Sequence, residues 1–105
     1  MEIAFATRKL RTICEDETEP ADEFDAGVAK QLKGRLADLR AANTVHDLVV
    51  GNPTIVPGAA PQMTIDLPDG YKLVARPNHH NIRAEEDGSI DWRRVRRLLV
   101  VGISR

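Results

Sequence analysis

Four arginines in five positions, Arg93, Arg94, Arg96 and Arg97, follow Trp92 and lead into an apolar run at Leu98. Guanidinium groups stay charged and offer paired donors, so this spacing suits phosphate. Lys72 and Arg76 share strand parity in the segment before them, which puts both on one face, able to join an arginine patch. The alternative is a solvated strand end with an ion pair to Glu85, Glu86 or Asp87. His79 and His80 are adjacent and point opposite ways in an extended chain. They are either an exposed loop pair or a source of a proton or a phosphate contact. With no further Cys, Asp or His at ligand spacing, no metal site is expected. Cys14 falls on an apolar helical stripe and reads as core rather than nucleophile. Gly-rich phosphate loops, Gly-x-Ser-x-Gly and His-Glu-x-x-His are absent from the chain.

The cations are unevenly placed. Residues 1–70 hold 7 Lys/Arg against 12 Asp/Glu, and residues 71–105 hold 8 against 4, so a net charge of −1 hides a basic final third. Such a third meets phosphate or an acidic protein surface. The acidic run Glu15-Asp16-Glu17-Thr18-Glu19, continuing through Asp22, Glu23 and Asp25, reads as a solvated loop facing away from any nucleic acid. One cysteine excludes an internal disulfide and a four-cysteine zinc site. The absence of a long apolar run and of a basic-then-apolar start predicts a cytoplasmic protein without a membrane segment.

The elements that must carry these groups are legible from period. Residues 1–105 make a single domain. Glu2 to Ala6 alternates as a strand, and Thr7 caps a helix bearing Leu10, Ile13 and Cys14. From about Asp22 to Ala42, Phe24, Val28, Leu32, Leu36 and Leu39 repeat at helical spacing. Lys30, Lys33 and Arg40 fall on the opposite side of that helix. Residues 51–61 are turn-rich; Met63, Ile65 and Leu67 then alternate, Pro68-Asp69-Gly70 turns, and Tyr71 to Arg76 returns as a hairpin. Pro77 to Gly88 reads as a longer connection, and Leu98 to Ile103 as a strand buried on both faces and so central in its sheet. The expected fold is α+β, with two N-terminal helices packed on a small, mostly antiparallel sheet of about four strands.

In this order the motifs resemble the RelE/HigB superfamily of bacterial toxin–antitoxin toxins, in particular the HigB-like plasmid-maintenance killer proteins. The carrying stretches are Ile3-Ala4-Phe5-Ala6-Thr7-Arg8-Lys9-Leu10, Ala29 to Leu48, Thr64-Ile65-Asp66-Leu67 with Tyr71-Lys72-Leu73, and Asp87-Gly88-Ser89-Ile90-Asp91-Trp92 running into Val95. Together they span most of the chain. The resemblance implies a RelE-like fold and ribosome-dependent cleavage of messenger RNA, without a metal or other cofactor. In that reaction the ribose 2′-hydroxyl attacks the adjacent phosphate while basic side chains stabilise charge and move protons. Lys72, after an aromatic residue, is the implied phosphate contact. Arg76, His79 and His80 are the other candidate catalytic groups, and Arg93, Arg94, Arg96, Arg97, Lys30 and Lys33 are the candidate RNA contacts. Implied partners are messenger RNA, the ribosome and a helix-turn-helix antitoxin that covers the basic patch with acidic side chains.

Two departures motivate a second expectation. Relatives carry a basic loop before the Thr64 strand, where Val56-Pro57-Gly58-Ala59-Ala60-Pro61 has no charge. Relatives often carry Asp-Tyr-His after the last strand, where this sequence reads Gly102-Ile103-Ser104-Arg105. The same fold, with the nuclease chemistry lost, would then be a module that binds an antitoxin or nucleic acid.

Overall fold

A computed structural model describes residues 1–15, 26–56, 61–79 and 90–105. Strand β1 (Glu2–Phe5) leads into helix α1 (Arg8–Glu15) and then α2 (Ala26–Ala41). Strands β2 (Thr54–Val56), β3 (Gln62–Asp66), β4 (Lys72–Pro77) and β5 (Arg97–Ser104) follow. They form one mixed sheet in the order β1-β5-β4-β3-β2. β1 runs parallel to β5, and every other neighbouring pair is antiparallel.

Each helix forms where its apolar positions coincide. Thr7 starts α1, its Oγ1 accepting the Leu10 N–H at 3.1 Å. Ile13 and Cys14 turn inward from that helix. In α2, Val28, Leu32, Leu36 and Leu39 are buried; each contributes on the order of 2 kcal/mol of apolar burial. The expected cap Asp22 and the first stripe residue Phe24 lie outside the described residues. The terminal ammonium of Met1 donates to the carbonyls of Leu39, Arg40 and Ala42 at the end of α2, a favourable place for a cation.

The helix stripes meet Met63, Ile65, Leu73, Ala75, Leu98 and Val100 from one side of the sheet, with Trp92 and Val95 completing the core. The β3–β4 hairpin turns through Pro68-Asp69-Gly70, with Asp69 and Gly70 both at positive φ. β5 lies between β1 and β4, interior as expected. Its two sides differ, because Leu98 and Val100 are buried whereas Leu99 and Val101 are half-buried.

The sheet has five strands rather than about four. The additional one is β2, inside the stretch read as turns. Three residues between prolines carry too short an alternation to register as a period. It is set by Gly51, whose φ of +90° and close approach to Ile65 exclude a side chain: a Cβ there would lie 2.5 Å from Ile65 Cγ2. The Gly51 carbonyl accepts the Asp66 N–H at 2.7 Å and so starts the β2–β3 ladder. Among the described residues no helix is long and apolar enough to cross a membrane.

Candidate functional site

Alternation along β4 buries Leu73 and Ala75 and exposes Lys72 and Arg76. Both cations therefore stand on the side of the sheet away from α1 and α2, four residues and roughly 13 Å apart by strand rise. Arg97 opens β5 just before buried Leu98 and faces the same side. Arg76 pairs in register with Leu99, two positions along from Arg97. One end of the face thus gathers Arg76 and Arg97, and Lys72 stands at the other.

Carboxylates are interleaved with these cations. Lys72 Nζ lies 2.7 Å from Asp66 Oδ1, its cross-strand partner. Asp66 also accepts a hydrogen bond from Asn52 Nδ2 at 3.3 Å. The Lys72 hydrogen bond, followed by that from Asn52, holds the Asp66 carboxyl below the ordinary carboxylate range. Arg97 Nε lies 3.0 Å from Glu2 Oε2 on β1.

Arg93 and Arg94 are not in a strand. They occupy a short 3₁₀ turn, Trp92–Arg94, which Asp91 caps by accepting the Arg93 N–H. Asp91 also meets Arg93 Nε at 2.9 Å and Arg94 Nε at 3.7 Å. The Arg93 side-chain hydrogen bond is the main cause that lowers the Asp91 pKa. Arg96 instead turns to main chain, donating from Nη1 to the carbonyls of Arg93 and Val95. Among the described residues Arg76 has no carboxylate within ion-pair distance.

His79 is half-buried at the end of β4. Its Nε2 accepts the main-chain N–H of Arg96 at 3.0 Å and of Arg97 at 3.1 Å. Through these two contacts the histidine acts as a clasp between the end of β4 and the start of β5. Its neighbour Asn78 donates to the Arg97 carbonyl at 2.9 Å and closes the same corner. His80 lies outside the described residues, as do Glu85, Glu86 and Asp87.

Lys30 and Lys33 are not brought to this face. They lie on α2, Lys30 exposed and Lys33 half-buried, across the sheet from Lys72 and Arg76. Cys14 is buried, and burial pushes its thiol up to about 11; an inert core thiol fits that environment.

Sequence reading did not single out Glu2, Asp66 and Asp91, the three carboxylates that hold the cations. A signal for two of them exists. Asp66 is the hairpin mirror of Lys72 about Pro68-Asp69-Gly70, and Asp91 stands two and three residues before its arginines. Glu2 meets Arg97 only through the parallel β1–β5 register, which nothing local announces. No family model matches the chain, and neither a curated protein nor a solved structure is detectably similar to it.

Proposed function

We propose that the chain is a cytoplasmic RelE/HigB-type component of a type II toxin–antitoxin pair, acting as a binding module for its helix-turn-helix antitoxin and for phosphate rather than as a messenger RNA nuclease. Supporting the fold half of this reading is the element order: a strand, two helices, then antiparallel strands, with Trp92 of Gly-x-Ile-Asp-Trp seated in the core. The observation that carries the functional half is the interleaving of carboxylates: Asp66 on Lys72, Glu2 on Arg97, and Asp91 on Arg93 and Arg94. A cation already held by an internal carboxylate gives less to the charge that develops on a phosphorane. The engagement of His79 Nε2 by two main-chain N–H groups supports a structural role for that residue as well.

Ribosome-dependent cleavage is the second reading, favoured by the placement of Arg76 and Arg97 side by side at one end of the open face. Induced expression separates the two. Primer extension on cellular messages is expected to show no new 5′ ends, while the product of the adjacent reading frame co-purifies with the chain. New ends at defined codons would establish cleavage instead. Absence of both new ends and a co-purifying helix-turn-helix protein would overturn the toxin–antitoxin assignment.

A further inference from the structure

No glycine follows α2. The chain continues from Ala41 as Ala42-Asn43-Thr44, whereas a glycine at this place is the usual means of turning the last helical carbonyls back onto the chain. Of the carbonyls left over at this end, that of Asp38 accepts the Ala42 N–H at 3.0 Å, a bond the Leu39 carbonyl shares at 3.3 Å. The α-ammonium of Met1 serves the rest. It donates to the carbonyls of Leu39 and Arg40 at 3.1 Å each and to that of Ala42 at 2.7 Å. Three protons meet three carbonyls, and the cap of α2 comes from a group 38 to 41 positions away in the chain. The same contacts tie the start of β1 to the end of α2.

The chemistry of that nitrogen makes the joint conditional. An ammonium brings three donors and a positive charge to the negative end of the helix dipole. Any acyl group on it, whether formyl, acetyl or the carbonyl of a preceding residue, turns it into a neutral secondary amide. One N–H is then left for three carbonyls, and the acyl oxygen adds a further acceptor to a corner that already has too many. Met1 is half-buried against the core, and its bonds to Leu39 and Ala42 are part-buried. A carbonyl that loses its donor there costs more than one in water.

We propose that the α-nitrogen of Met1 is a modification site whose acylation state the fold reads: the free ammonium locks β1 onto the end of α2, and an acyl group on that nitrogen releases the joint. The step that sets the lock is hydrolysis. Water adds to the acyl carbon, the C–N bond breaks, a carboxylate leaves and the amine takes up a proton, the work of an amide hydrolase. Acyl transfer back to the nitrogen is opposed in the folded chain, where all three protons are engaged. Glu2 follows directly and holds Arg97 at 3.0 Å, so the lock also steadies one of the carboxylates on the basic face. It acts on the fold whatever the chain binds, and so stands apart from the binding-module reading.

The test uses the single cysteine of the chain: residues 1–13, made chemically, are ligated to residues 14–105 at Cys14, so that the products differ only at the Met1 nitrogen. The free amine is compared with formylated, acetylated and Gly-Ser-extended chains, and with a des-amino chain in which hydrogen replaces the amine. Expected in every altered form are amide exchange about tenfold faster at Ala42 and Glu2 and a lower urea midpoint. Exchange at Leu67, in the β3–β4 hairpin, should not change. Should the acylated chains fail to fold, the des-amino chain, which adds no bulk, decides alone. Mass spectrometry of the N-terminal peptide from the source cells identifies the acyl group, as formyl, acetyl or preceding residues, in newly made chains, with the free amine expected in the folded pool. A des-amino chain that exchanges and unfolds like the free amine would overturn the lock. A folded pool acylated throughout at Met1 would overturn the switch.

Discussion

β1 and β2 close the same sheet on opposite sides and are built to different ends. β2 is three residues long, follows Pro53, and is uncharged from Leu48 through Ile65. Its Ile55 and Val56 are 40% exposed, and Val49, just before it, is 93% exposed. Short length and a preceding proline limit what such an edge can pair with, although its surface is apolar. β1 is one residue longer, contains no proline, begins with Glu2 and has Arg8 and Arg11 beyond its end. The two margins thus differ in charge rather than in length.

The contrast can be broken from either side. The largest effect is expected from Leu98→Ala, which empties the fully buried position where β5 meets both β1 and β4. A loss of about 3–4 kcal/mol should appear in urea denaturation, with exchange at the Ala4 and Ala6 amides rising ahead of that in β3. On the β2 side, Gly51→Ala should cost about 2–3 kcal/mol, because its Cβ would meet Ile65 and its φ of +90° strains any side chain. If Gly51→Ala were neutral, β2 would not depend on that turn.

Thr7→Ala removes the hydroxyl that starts α1 after β1. The expected cost is about 1 kcal/mol, read as a lower melting temperature with the β3–β4 hairpin's exchange unchanged. The smallest effect is expected from acid. Asp66 and Asp91 have folded pKa values below their unfolded ones. Their contribution is complete above about pH 4 and is lost as pH falls through the lowered folded values. Asp66→Asn should flatten the fall in urea midpoint between neutral pH and about pH 2.5, because it removes the carboxylate that Lys72 and Asn52 hold.

Much of the architecture is legible in residue order because burial repeats. Val28, Leu32, Leu36 and Leu39 announce α2, and Met63, Ile65 and Leu67 around Pro68-Asp69-Gly70 announce the hairpin. β2 escapes notice because three residues cannot display a period and a glycine's φ, not a pattern, starts it. For the candidate site, exposure of Lys72 and Arg76 on one face follows from parity alone. Their counter-charges do not, since Glu2 and Arg97 are brought together by a register between distant strands. Neither does the His79 clasp, which requires knowing that β4 returns beside the start of β5. A run of arginines reads as a free cationic patch until the strands that face it are placed.

The parallel pairing of Glu2–Phe5 with Arg97–Val100 has a kinetic corollary. Joining segments about 95 residues apart costs roughly 4 kcal/mol of chain entropy in the logarithmic length term, and nothing made earlier can take the place of the later strand. During synthesis the N-terminal strand must therefore wait until residues 97–104 have emerged from the ribosome. Until then its apolar Ile3 and Phe5 have no β5 to lie against, and a chaperone or a preformed binding partner has its widest window to engage them.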